Sequence, residues 1–423
     1  MYDIVTGTGP PLTEAAAGEH LAARAFDAGA PGFVGADVQL LPRRAGAGAG
    51  RRVPYSRLAA VVDAAAPRLR HGRLTLEPGG AIGVGAPPSP GIDACLDRVA
   101  EDLAVVREAM RDAGLTAMNS ALDPFRSPRR LLDAPRHAAV ERYLDRADPA
   151  GRWALCSTAA VVVRVDVGHD VGHDVGHDGD GPLGLRRRWQ LAHALGPVLI
   201  AAFANSPLRA GRITGWRSTR QAIWHRLHRG RAAPPVDADP RAAWVRYALD
   251  ADVMCVRDER GRWNAPRDLT FRRWASSGLP RRPTVDDLDH HVGTLRPPVR
   301  PDGQLELRMI DGQGADAWAV PVAVTAALFG DARAADETRA ALERLGPVAP
   351  YPNGLWDKAA RVGLADPALA RAVLDCFLIA YDALGRLNVS RPVRDAVAEF
   401  IEAYVSRRRC PADDLLETVD EFA

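Results

Sequence analysis

The chain has 423 residues, 47% of them hydrophobic, and is close to electroneutral, with 55 Lys and Arg against 53 Asp and Glu. That length affords one large domain or two ordinary ones around a sizeable core, and the charge balance argues against a dedicated nucleic-acid binder, which would carry a basic excess on one segment. Five scattered cysteines (95, 156, 255, 376 and 410) with no C-x-x-C pair suit a reducing cytosol better than a disulfide framework. Met1 to Thr8 lacks a basic start followed by an apolar run, so no signal peptide is expected, and the longest apolar stretch, Val198 to Ala204, is far too short to span a bilayer. These features point to a cytoplasmic protein without membrane or nucleic-acid partners.

In chain order, 12–30 has the spacing of an amphipathic helix capped by Thr13, and Phe33–Leu41 reads as a strand. A Gly/Arg/Ala-rich loop covers 42–52 and a helix 55–66. Residues 73–77 alternate as a short strand, Pro78-Gly79-Gly80 signals a turn, and 81–85 makes a weak second strand. A long helix follows at 91–113, then an ordered Pro/Arg-rich loop at 123–136 and a helix near 137–145. Residues 153–166 form a β-like run. A tandem VGHD repeat occupies 167–178, within a low-complexity inserted loop at 167–181. A helix is expected at 185–204, a strand at 305–310, and helical pattern from 315 to the end. Few, widely separated strands disfavour a parallel βαβ array and favour an α+β protein with a mostly antiparallel sheet and helices packed on one side.

Five constellations could carry chemistry. Glu306 and Arg308 are two apart on a strand and share a face, with Asp311 beyond; a carboxylate beside a guanidinium suits a metal–phosphate site, or is an exposed ion pair. Asp37 and Gln39 share a strand face in the same way, as candidate ligands or as a face turned to water. Glu77-Pro78-Gly79-Gly80 permits close backbone approach to a ligand, yet lacks the Gly-Lys-Ser/Thr of a phosphate-binding loop and is equally a turn. The segment NSPLRAGRITGWRSTR (205–220) carries Arg209, Arg212, Arg217 and Arg220 and leads into a helix with Trp224; it suits carboxylate or phosphate, or is a charged surface loop. His169, His173 and His177 of the VGHD repeat could bind a transition metal, but the glycine in every unit argues against a helix that would align the imidazoles, and a slippage expansion explains the repeat as well.

Taken together, LTLEPGG (74–80), LDPFRSPRRLLDAPRHAAVERY (122–143), CSTAAV (156–161), FANSPLRAGRITGWRSTRQAIW (203–224), LELRMID (305–311) and RCPADDLL (409–416) resemble the glutamate–cysteine ligases of plant and actinobacterial type. The resemblance runs from about 12 to 418, with 203–224 its most specific part, and is greatest to the actinobacterial ligases that make γ-glutamylcysteine for ergothioneine. It implies a glutamine-synthetase-like ligase fold, a curved antiparallel sheet with helices on its outer side, as one catalytic domain over 1–423. It implies an ATP-dependent ligase that phosphorylates the γ-carboxylate of glutamate and joins it to cysteine, with ATP and Mg²⁺ as cofactors, small molecules as partners, and a monomer or homodimer as the assembly. Carried over position by position, Glu77 and Glu306, with Asp37 in place of a Glu, become metal ligands, Glu306 and Arg308 catalytic groups, and Arg220 a substrate contact; Arg209, Arg217 and Trp224 of the same arginine-rich segment, and Arg164, are further candidate substrate and ATP contacts. The resemblance also has departures. Asp37 and Gln39 stand where the family has Glu, Ala81 and Gly83 where it has Gln and Glu, and Val162 and Arg164 where it has Gln and Asn. Arg164 could then supply positive charge that partly replaces a metal.

Overall fold

The computed structural model describes residues 11–27, 30–46, 50–168, 181–228, 239–257, 261–314, 317–346 and 354–420; the VGHD histidines lie outside them. The strands are β1 (Phe33–Leu40), β2 (Pro42–Arg44), β3 (Arg73–Leu76), β4 (Ile82–Gly85), β5 (Ser89–Pro90), β6 (Leu115–Ala117), β7 (Ala160–Asp166), β8 (Leu208–Arg209), β9 (Arg212–Ile213), β10 (Val299–Pro301) and β11 (Gln304–Asp311). The principal sheet runs β10-β11-β7-β1-β4-β3, with β5 also paired to β1, and every pairing is antiparallel.

Period-two alternation divides this sheet into two chemically different faces. Val34, Ala36, Val38 and Leu40 of β1, Val161, Val163 and Val165 of β7, and Leu305 and Leu307 of β11 are buried on one face. The helices Ile92–Asp112, Gly196–Phe203 and Ala319–Gly330 pack against these strands. The last two are apolar on all sides, as helices enclosed by other elements must be; Ala319–Gly330 lies between the sheet and the helix Pro367–Arg386. The opposite face carries Asp37 and Gln39, Val162 and Arg164, Glu306 and Arg308, in register across β1, β7 and β11.

The α+β architecture, the antiparallel sheet and the helices packed on its apolar face are as expected. The loop expected over 42–52 opens on the strand β2, and two further local expectations need correction. The run 153–166 is not one strand: Gly151–Cys156 is a short helix and β7 begins only at Ala160, because a continuous apolar run carries no period that separates helix from strand. The helix expected over 185–204 is two, Leu185–Ala194 and Gly196–Phe203, divided at Gly196-Pro197 with the proline opening the second. Finally, β10 is an edge strand ending in Pro301 and preceded by Pro297-Pro298, a composition that hides a strand from inspection. All five cysteines are free and buried, and among the described residues no helix is long and apolar enough to cross a membrane.

Candidate active site

The polar face of the sheet forms one wall of a cavity of about 570 Å³. Gln39, Val162, Arg308 and Met309 come from the sheet and Glu77 from the β3–β4 turn. Arg220, Gln221 and Trp224 come from the helix Thr219–His228, and Arg136, His137 and Val140 from the helix Pro135–Ala147. Asp289, His290 and Thr294 come from the helix Val285–Thr294, with Arg296 just after it. The volume is that of a small-molecule site. The lining carries Arg136, Arg220, Arg296 and Arg308, and an apolar cluster of Val140, Leu144, Leu155, Trp224 and Met254.

The β11 strand is bulged between Leu307 and Ile310, so its carbonyls there cannot all pair with β7. Arg220 and Gln221 fill the gap. Arg220 Nη2 donates to the Arg308 carbonyl at 2.9 Å and Nη1 lies 3.4–3.5 Å from the Met309 and Ile310 carbonyls, while Gln221 Nε2 donates to Met309 O at 2.5 Å. At the strand end, Asp311 accepts from Asn205 N, Ser206 Oγ and Ser218 Oγ at 2.8–3.0 Å. Thus the 205–220 segment is held to β11 by buried hydrogen bonds, and this holds Arg308 at the cavity floor.

Behind Arg308, Glu306 has a side chain only 3% exposed and is ringed by three arginines. Arg308 Nη1 donates to Oε2 at 2.9 Å, Arg300 Nε to Oε2 at 2.7 Å, and Arg164 Nε to Oε1 at 3.1 Å; Arg164 also bridges to Asp37. Burial alone would push the Glu306 carboxyl up, but Arg300, Arg308 and Arg164 outweigh it and hold the group well below the carboxylate range. Asp37 behaves oppositely: burial pushes its carboxyl up, and Arg164 does not offset this. Gln39 spends its amide oxygen on the Ala160 N–H at 2.9 Å.

These contacts test the expectation that Asp37, Glu77 and Glu306 hold Mg²⁺, and the residues do not fit it. Both Glu306 oxygens and one Asp37 oxygen are taken by guanidiniums, and three arginines adjoin the two carboxylates. Only Glu77 lines the cavity. Among the described residues no group of three or more His, Cys, Asp or Glu side chains could hold a metal ion. A hard dication needs several free oxygens, and here cations already occupy them.

Of the other expected residues, Arg220, Trp224 and Arg308 meet in the cavity. Asp37, Arg164 and Glu306 lie beneath it, joined to Arg308 through ion pairs. Arg209 and Arg217 are elsewhere: Arg209 lies over the Trp153 ring and Arg217 Nε pairs with Asp413 at 2.7 Å. Sequence reasoning missed Arg136, His137, Asp289, His290, Arg296 and Arg300. Arg300 follows from the pairing of Arg300 with Glu306 once β10 is known. The 284–294 helix announces itself by Thr284 and Asp287, which form a capping box.

Glutamate-cysteine ligase family 2 matches residues 45–421. The Mycobacterium tuberculosis protein named glutamate–cysteine ligase EgtA is 35% identical over 379 residues, 87% of this chain and 82% of that protein. Its Mycolicibacterium smegmatis namesake is 35% identical over 380 residues, 87% of this chain and 83% of that protein. Among solved structures, a Francisella tularensis glutamate–cysteine ligase in complex with AMP superposes with a TM-score of 0.51 at 11% identity, over 91% of this chain and 84% of that one. A bifunctional glutathione synthetase from Pasteurella multocida gives 0.52 at 13% identity over 97% of this chain, which spans about half (52%) of that longer protein. At such identities the two structures speak for the fold alone.

Proposed function

The chain belongs to glutamate–cysteine ligase family 2, and we propose that it is an ATP-dependent ligase joining the γ-carboxylate of glutamate to the amine of cysteine. The γ-phosphoryl group of ATP passes to a carboxylate oxygen, giving ADP and an acyl phosphate. The amine nitrogen then attacks the acyl carbon, phosphate leaves, and the nitrogen loses a proton to give γ-glutamylcysteine. The observation that carries this reading is the meeting of Arg308, Arg220 and Trp224, from two of the segments that resemble the family, in one cavity lined by guanidiniums and an apolar cluster. Such a hollow suits a ligand with an anionic tail and a flat aromatic body.

In this reading Arg308 faces the phosphoryl group in transit and opposes its charge, the main demand of phosphoryl transfer. Glu306 orients Arg308. Trp224 and Met254 receive the nucleobase, and Arg220 holds the β11 bulge beside the substrate carboxylate. The whole chain acts as one catalytic domain in the cytoplasm, and its product serves ergothioneine formation, as the likeness to the actinobacterial ligases implies. Incubated with ATP, Mg²⁺, glutamate and cysteine, the protein should release phosphate and γ-glutamylcysteine in equal amounts. Product with another amine but none with cysteine would move the assignment to a different carboxylate–amine ligase. A second reading, a family member that binds nucleotide without turnover, is favoured by the engagement of Glu306 and Asp37 with arginines; nucleotide binding with no phosphate release would establish it.

A further inference from the structure

Arginines outnumber acids around the cavity. Four arginines line it (Arg136, Arg220, Arg296 and Arg308), against Glu77 and Asp289, with Arg220 paired to Asp311 at 3.4 Å and Arg308 to Glu306 at 2.9 Å. Asp289 is turned away toward His20 and Arg24, at 2.8 and 2.9 Å. Arg308 uses Nη1 on Glu306, and its remaining guanidinium N–H groups have no hydrogen-bond partner among the described residues. Among the described residues Arg296 donates only to carbonyls, those of Gly293 at 2.6 Å and Leu295 at 3.0 Å. Burial, together with the charges of Arg308 and Arg300, disfavours its cation and pushes the group down to about 9. A guanidinium stays charged at neutral pH, so the strain of packing these cations together is relieved by an anion arriving among them. Unused forked donors of this kind match phosphate and carboxylate oxygens.

We propose that the cavity binds the polyphosphate of a nucleotide directly on Arg308 and Arg296, with no divalent cation between protein and phosphate. The inference rests on the nucleotide reading above and sharpens it. The ion-paired wall of Glu306 and Asp37, neutralised by Arg164 and Arg300, stands in the place where free oxygen ligands for a dication would be needed. Two consequences separate this arrangement from a metal-bridged one. Magnesium, by neutralising the phosphates, competes with the arginines for them and weakens binding. Removal of the Glu306 charge strengthens binding, because Arg308, Arg300 and Arg164 lose their counter-ion; in a metal-bridged site the same change would remove a ligand and weaken it.

The test is calorimetric titration of the full chain with ATP and, separately, with inorganic tripolyphosphate, each in EDTA and in saturating Mg²⁺. ATP and tripolyphosphate are expected to bind at least threefold more tightly in EDTA. Arg308→Gln should weaken both at least tenfold, and Glu306→Gln should tighten both several-fold. Binding of ATP only when Mg²⁺ is present would overturn the inference while leaving the nucleotide reading standing. Binding of neither form of ATP would overturn both. Should Glu306→Gln fail to fold, the comparison with and without Mg²⁺ on the unaltered protein decides alone. Binding of tripolyphosphate but not ATP in EDTA would also overturn the proposal, reducing the site to a phosphate trap.

Discussion

The two faces of the principal sheet are built from the same strands, yet obey different rules. On the helix-covered face, Val38, Val163 and Leu307 are interchangeable in kind: each contributes buried apolar area, and any residue of similar size and polarity would serve. On the cavity face one position away, Asp37, Arg164 and Glu306 form a closed ionic set in which no member is dispensable alone. The first face is tolerant of sequence and intolerant of charge; the second tolerates charge only in matched company.

The largest expected effect breaks the comparison at adjacent positions of β7. Val163→Asp buries an unpaired carboxylate against helices and should cost more than about 4 kcal/mol, leaving little folded protein, whereas Val162→Gln, facing the cavity, should cost about 1–2 kcal/mol. Urea titration of both variants measures this, and equal destabilisation would show that the two faces are not distinct. Next, Glu306→Gln should cost about 3 kcal/mol by removing a buried carboxylate from three partly buried guanidiniums. A melting temperature unchanged from the parent would mean the ionic set is exposed to water.

Acid sharpens the comparison from both sides at once. His193, behind the sheet, and His291, in the helix over the cavity, are each held down to about 4, first by burial. Neutral when folded, they take up protons near pH 6.5 only when unfolded. Stability should therefore fall as pH drops from about 6.5 toward 4, by on the order of 2–3 kcal/mol for each buried imidazole. Denaturation midpoints that stay level across that window would refute it. The smallest effect concerns the helix Val285–Thr294, whose capping box is closed by Thr284 and Asp287. Thr284→Ala should loosen that roof by about 1 kcal/mol, seen as faster amide exchange in 285–294 and not in the helix Ala319–Gly330.

The alternation of β1 and β11 made their two faces legible, because a strand's period assigns each residue a side without knowledge of its neighbours, whereas the apolar run of β7 shows no such period. The pairing of Glu306 with Arg308 and the common facing of Asp37 and Gln39 followed directly. What could not be foreseen is what those groups do to each other. That Glu306 is saturated by Arg300 depends on β10, whose prolines conceal it. That Arg220 supports the β11 bulge depends on an irregularity of pairing that leaves no trace in composition. A likeness to a family conveyed which residues to watch. The partners that decide whether a carboxylate is free for a dication come from elements distant along the chain.

The same prolines have a consequence for the behaviour of the molecule in a crowded solution. An open antiparallel wall presents unpaired amide groups along each margin, an invitation for a second copy to zip on and propagate a ribbon. At the β10 margin Pro301, with Pro297 and Pro298 just before the strand, lacks the amide hydrogens such growth requires. At the far margin β3 is only four residues long and exposes Arg73, which repels its own image. A sheet with a polar hollow on one side is thereby kept from polymerising without a layer of protein to shield its borders.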